Sequence, residues 1–253
     1  GVSAERKPKA IIIAAGLGKR LRPLTDDRPK CMLEIKGKTI LQRAIDIFRE
    51  CGIEDIIIIR GHKKGVIDYP NIKYYYNADY MNNNILMSLM TAEAEMDGPF
   101  IAAYSDILFR KEVVLDLLKS KADISLVVDK DWAKQYVGRY DHPIEEAEKV
   151  SIEEGKVKKI GKVVNPNEAG EEFIGMIKLS EVGTEVLKKN FHRVKKKYAD
   201  CPFHAASNIQ KAYLTDMMQE LIDKGYEVTP VIINGKWVEI DTRQDYEKAC
   251  KSW

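Results

Sequence analysis

Short apolar runs alternate with amphipathic stretches through the first half of the chain. Residues 10–14 are uninterruptedly apolar and lead into Gly16, the pattern of a strand buried on both faces. Residues 39–51 place Ile40, Leu41, Ala44, Ile45, Ile47 and Phe48 on one helical face, and Gly52 stops the helix. Strands follow at 56–59, 73–76, 100–104 and 123–128, with helices at 85–96 and 111–119. This alternation predicts a parallel sheet covered on both faces. The second half is mixed. Runs at 150–152 and 157–160 flank Glu154-Gly155, and runs at 228–233 and 237–240 flank Asn234-Gly235; both read as hairpins. A strand at 173–179, an amphipathic helix at 208–224 ending at Gly225, and a short helix from Thr242 complete the reading. Residues 1–9 are polar, contain Pro8 and read as a linker or tag remnant; residues 10–253 read as a single domain with a small substrate-binding lobe in its second half.

Composition narrows the function classes. Among 253 residues, 45% are hydrophobic and 32% charged, as in an ordinary soluble enzyme, and the net charge of +2 gives no global field for nucleic acid or membrane. The longest early apolar run, 10–15, is too short to span a bilayer. Cys31, Cys51, Cys201 and Cys250 are scattered without metal-finger spacing, and the expectation is a reduced, cytoplasmic protein. No two of His62, His142, His192 and His204 stand at ligand spacing, which argues against zinc. The basic run at 193–197 reads as a solvated helix face.

The chemistry concentrates after the first strand. Gly16 and Gly18 let backbone N–H groups approach a phosphate, and Lys19, Arg20 and Arg22 add positive charge suited to a triphosphate. The loop is no P-loop, because Gly-Lys-Ser/Thr is missing, and no Rossmann fingerprint, because Leu21 stands where a third small residue belongs. Pro29 sets the chain just before Lys30, a candidate to neutralise an α-phosphate.

The glycine loop and the Pro29-Lys30 step, about a dozen residues apart, together resemble the nucleotidyltransferases that activate sugar 1-phosphates, phosphocholine and phosphonates. Ser105-Asp106 and residues 238–242 look like that family's two metal-binding segments. The Asn-rich stretch 82–89 resembles phosphocholine and 2-aminoethylphosphonate cytidylyltransferases, and residues 60–64, 104–110, 127–132 and 172–175 resemble the domain fused behind phosphoenolpyruvate mutase. Ser105 departs from the glycine of those fused domains, which leaves the acceptor open.

The resemblance implies a Rossmann-like three-layer α/β fold with a mostly parallel mixed sheet. It implies transfer of CMP from CTP to a small phosphonate, 2-aminoethylphosphonate first, with Mg²⁺ as cofactor. A fused mutase partner and a homo-oligomer stay open. Phosphocholine transfer, sugar-1-phosphate transfer and a non-catalytic nucleotide-binding module are the alternatives. Lys30 and Arg20 are assigned to the triphosphate, and Asp106 and Asp241, both at strand ends, to Mg²⁺. Ala14, Ala15, Gly16, Gly18, Asn77, Asn82 and Asn83 are assigned to the nucleotide, and Asp129, Trp132, Glu172 and Asp216 to the cationic end of the acceptor.

Overall fold

The computed structural model describes residues 6–253. Residues 1–5 of the expected linker lie outside the described residues. The rest of that stretch belongs to the body: Arg6 and Lys7 donate to the carbonyls of Asp97 and Gly52, and Lys9 already opens the first strand.

The strands and helices follow the predicted alternation. β1 (Lys9–Ala14) leads through the glycine loop to a small ribbon, β2 (Glu34–Ile35) and β3 (Lys38–Thr39), and then to α1 (Ile40–Glu50), capped by the Thr39 hydroxyl. β4 (Ile56–Arg60), β5 (Lys73–Tyr76), α2 (Ile85–Met90), β6 (Phe100–Tyr104), β7 (Ile107–Phe109), α3 (Lys111–Lys119) and β8 (Ile124–Asp129) complete the first half. The second half holds β9 (Lys149–Glu153), β10 (Lys156–Gly161), β11 (Glu171–Leu179), α4 (Glu181–Lys197), α5 (Leu214–Asp223), β12 (Thr229–Ile233), β13 (Trp237–Glu239) and α6 (Arg243–Ser252). The basic run ends α4, where positive charge suits the helix dipole.

The main sheet runs β10-β9-β11-β6-β1-β4-β5, with β8 joining β11 and carrying β12. Its β6-β1-β4-β5 side and the β8–β12 pair are parallel; β11 runs antiparallel to β6, β8 and β9. Period-two alternation divides the core. Ile11, Ile13, Ile57 and Ile59 face α2, α4 and α5, whereas Ala10, Ile12, Ile56 and Ile58 face α1 and α3. The result is the expected three-layer mixed α/β fold. The strands read as a separate lobe extend this same sheet, with β11 near its centre.

Three expectations need correction. α2 stops at Met90, followed by a single 3-10 turn at Glu93–Glu95, and α5 begins only at Leu214, because Ile209–Lys211 form a 3-10 turn. Asn234-Gly235 makes no hairpin: β12 pairs with β8 and β13 with β7. Asp129 explains the divergence. Its carboxylate, fully buried, accepts from the Gly235 amide at 3.0 Å, the Trp237 indole at 2.7 Å and the Asp131 amide at 2.9 Å. It pins the turn so that β13 leaves the main sheet.

Asp129→Ala leaves the buried Trp237 indole and two half-buried amides unpaired and is expected to cost about 3 kcal/mol in urea unfolding. An unchanged midpoint with a raised acceptor KM would instead return Asp129 to a substrate role.

Candidate active site

The carboxyl ends of β1, β5 and β6 converge on a cavity of about 330 Å³. Gly61 allows the chain after β4 to press on the glycine loop: a Cβ there would stand 2.6 Å from the Ala15 carbonyl oxygen. Gly18 takes φ +63°, and its carbonyl accepts from the Thr25 hydroxyl at 2.8 Å. The His62 Nε2 atom lies 3.1 Å from the Thr25 carbonyl, so a buried chain of contacts runs from β4 to the glycine loop. Ala15, Gly16 and Gly18 line the cavity; Ala14 closes β1 behind them and is buried. Asn77 and Asn83 line it as a reciprocal amide pair, at 2.8 and 3.0 Å, with Asn77 also donating to Ser88. Asn82 lies outside the lining and donates to Asp79 instead.

Lys30 meets both predicted metal carboxylates. Its ammonium donates to Asp106 Oδ2 at 3.2 Å and Asp241 Oδ1 at 3.0 Å. Burial opposes its charge, but Asp106 and Asp241 outweigh that and hold its pKa above the ordinary lysine range. Arg20 bonds Asp241 Oδ2 and reaches Glu146 at 2.9 Å. Asp241 is not the cap of α6; Thr242 is, in a box with Asp245, which leaves the Asp241 carboxylate to the cavity. Burial would raise the Asp241 pKa, yet His142, Lys30 and Arg20 hold it well below the usual carboxylate range.

Two neighbours of this cluster escaped the sequence reading. His142 Nε2 lies 3.3 Å from Asp241 Oδ2 and 3.8 Å from Glu239. Glu239 stands two residues before Asp241, at the end of β13, a spacing that strand alternation could have flagged; His142, in a loop, carried no such signal. Burial, then Asp106 and Asp241, push the Glu239 pKa up. Arg139 braces the group from behind, bonding Glu239 at 3.1 Å and Asp245 at 2.7 and 2.8 Å.

These residues fit a hard divalent cation. Asp106 Oδ1 is buried without a protein partner, and His142, Glu239 and Asp241 offer ligand atoms within 4.8 Å of one another. Carboxylate oxygens suit Mg²⁺. A divalent cation held by Asp106 and Asp241 would compete with the Lys30 ammonium for their oxygens.

The other end of the cavity differs from expectation. Of the four residues assigned to the acceptor, only Glu172 lines it. Trp132 is buried edge-to-face against Tyr136, Asp129 pins the β12–β13 turn, and Asp216 caps α5 by accepting from the Tyr213 and Ala205 amides. In their place stand Tyr104, Glu148, Lys162, Phe173 and Tyr213. The Tyr104 hydroxyl lies 3.2 Å from both Glu148 oxygens, and Tyr136 donates to Glu172 at 2.6 Å. Tyr104 reaches this position because Gly175, at φ +94°, leaves room for its ring; a Cβ there would collide with it. Buried Lys149 donates to the Glu145 and Ala147 carbonyls at 2.7 and 3.0 Å, which fixes the backbone carrying Glu146 and Glu148.

A glycine loop at the end of a parallel sheet, facing a lysine between two aspartates, is the apparatus of a nucleotidyltransferase. Residues 10–165 match the MobA-like NTP transferase domain, and the chain belongs to that family. Within it the chain is a cytidylyltransferase-family member. It is 32% identical over 251 residues to the CTP:phosphoglutamine cytidylyltransferase of Campylobacter jejuni, covering 94% of this chain and 97% of that protein. It is 28% identical to the 2-aminoethylphosphonate cytidylyltransferase of Lancefieldella rimae over 48% of this chain and 52% of that one. The CTP:phosphocholine cytidylyltransferase structure from Streptococcus pneumoniae shares the fold, with a TM-score of 0.73 at 23% identity over 97% of this chain and 99% of that one. Among the described residues no helix is long and apolar enough to cross a membrane.

Glu148 gives a pH signature. Burial pushes its pKa up to about 8; Lys162 opposes the rise, Glu239 adds to it, the Tyr104 hydrogen bond opposes it, and Asp106 adds to it. Between the ordinary glutamate value of 4.5 and about 8, the folded state holds a proton here that the unfolded state has lost. This group's contribution to stability therefore falls as pH rises through that window and levels above it. Glu148→Gln is expected to flatten that part of the profile. Unfolding free energies of the two proteins that stay parallel from pH 4 to 9 would contradict this account of Glu148.

Proposed function

We propose that the protein transfers CMP from CTP to a small phosphonate or phosphate bearing an ammonium group, 2-aminoethylphosphonate first among them, in a Mg²⁺-dependent reaction that releases pyrophosphate. The observation that carries this reading is one cavity with opposite chemistry at its two ends. The glycine loop, Arg20 and Lys30 stand at one. At the other are the carboxylates of Glu148 and Glu172, with no basic group within 4.0 Å among the described residues.

An acceptor oxygen attacks the α-phosphorus in line and pyrophosphate departs. The chain supplies no covalent nucleophile; it positions two anions and offsets their charge. Backbone N–H groups at Gly16 and Gly18 face the phosphates, and Arg20 exchanges Glu146 and Asp241 for triphosphate oxygens. Lys30, already directed into the cavity, stands ready for charge developing at the α-phosphate. Asp106 and Asp241, with Glu239 beside them, would hold Mg²⁺, which when bound supplies charge neutralisation to the phosphate oxygens. Asn77 and Asn83 are assigned to the cytosine or ribose.

Relatives that act on phosphoglutamine and 2-aminoethylphosphonate support a nitrogen-bearing acceptor. Carboxylates favour a primary ammonium, which donates hydrogen bonds to them, over the quaternary group of phosphocholine, which has no N–H.

The test is pyrophosphate release with Mg²⁺ for each of the four nucleoside triphosphates against 2-aminoethylphosphonate, phosphocholine and glucose 1-phosphate. Turnover confined to CTP with 2-aminoethylphosphonate is expected; UTP with glucose 1-phosphate would overturn the reading. Lys30→Met should lower kcat by about 10²–10³, whereas an effect on KM alone would remove Lys30 from the reacting centre.

A further inference from the structure

Among the described residues, three titratable groups at the acceptor end have no counter-charge within 4.0 Å, and Lys162 acts on Glu148 only from beyond that distance. Glu172 is 3% exposed, and its carboxylate receives a bond from the Tyr136 hydroxyl but no cation. Glu148 likewise meets only the Tyr104 hydroxyl. Lys162, on the loop leaving β10, carries its ammonium 4.7 Å above the Tyr213 ring, with no carboxylate within 4.0 Å. All three line the same cavity. Burial disfavours the charged form of both acids, and a cation bound between them would favour it. The pKa of Glu172 is raised well above the glutamate range, by burial first and then by Glu239, with Glu148 adding to it. The end wall is thus short of one positive partner for its acids and one negative partner for its base.

A lone ammonium meets only half of that demand. We propose that this end of the cavity recognises an α-amino carboxylate: Glu148 and Glu172 take the ammonium of the acceptor, and Lys162 takes its carboxylate. The acceptor class is then an amino acid whose side chain ends in a phosphonate or phosphate, which would displace 2-aminoethylphosphonate from first place among the acceptors. The Tyr104 and Phe173 rings, 5.8 Å apart and edge-to-face, form an apolar wall beside the carbon chain between the two ends. Lys162 serves here as a specificity residue, separating amino acid acceptors from their decarboxylated counterparts. Calling this ligand the acceptor rests on the cytidylyl-transfer reading; the charge complementarity does not.

The test compares 2-amino-3-phosphonopropionate with 2-aminoethylphosphonate, which differ only in the carboxylate. Binding of each to the wild-type protein, Lys162→Met and Glu172→Gln is measured by calorimetry without turnover. The carboxylate adds one charge-assisted hydrogen bond to Lys162, so the carboxylated compound should bind the wild type about tenfold or more tightly. In Lys162→Met that preference should collapse to within about twofold, and Glu172→Gln should weaken both compounds together. Equal wild-type affinities, no binding of either compound, or a Lys162→Met loss shared by both would overturn the proposal; the last would move Lys162 to the phosphonate. Pyrophosphate release from CTP with the same two compounds separates the readings. Selective binding without release would sink cytidylyl transfer and leave the amino acid site standing. Release with 2-aminoethylphosphonate alone would do the reverse.

Discussion

Everything at the active centre depends on Lys30 standing between Asp106 and Asp241. Burial disfavours ionisation of Glu239, and Asp106 and Asp241 stand close enough to disfavour it further. A positive charge is needed before such a cluster can exist in a folded protein. Lys30 bonds two of the three carboxylates, and Arg20 bonds one of those again from the loop side. These same contacts hold both cations at the cavity wall, where a triphosphate would meet them. One set of ion pairs thus stabilises the fold and preorganises the site.

That arrangement is carried by parts far apart in the chain. Lys30 follows the glycine loop, Asp106 leaves β6 and Asp241 leaves β13. The Ile240 amide donates to the Asp106 carbonyl at 2.8 Å, which joins the two acidic segments directly. Leu21, Leu33, Ile35, Leu108 and Ile240 form a small apolar cluster with the α6 residue Ala249. This cluster ties the loop, the ribbon and the C-terminal helix into one support. Arg139 then fixes Glu239 and Asp245 together, so the acidic group is held from the cavity side and from behind.

The acceptor end is built on different terms. Its charges are oriented by tyrosine hydroxyls and by backbone carbonyls held through Lys149, with no direct ion pair among the described residues. Neutral donors orient an acid group without supplying the positive charge that would hold it ionised. The Lys30 cluster differs, because its cations already have carboxylate partners.

Much of the fold was legible in the chain itself. Buried parallel strands read as apolar runs and α1 as a period of 3.6, because these signals lie within a few residues. The glycines, Lys30 and the strand-end aspartates could be singled out for the same reason, and the structure brings them to one cavity. The acceptor end was not. Asp129 and Glu172 sit opposite each other across the β8–β11 ladder, both acidic and both near strand ends, and nothing in their neighbourhoods distinguishes them. Only the path of β13, more than a hundred residues after Asp129, covers that aspartate with Trp237 and leaves Glu172 open to the cavity. His142, Glu148 and Lys162 stand at or beyond strand ends, where no period announces a direction, and non-local strand pairing brings them together. The sequence by itself determined the layers and placed the glycine loop, Lys30 and the strand-end aspartates; the tertiary structure alone decided which of the other charges line the cavity, because that depends on what each strand finds beside it.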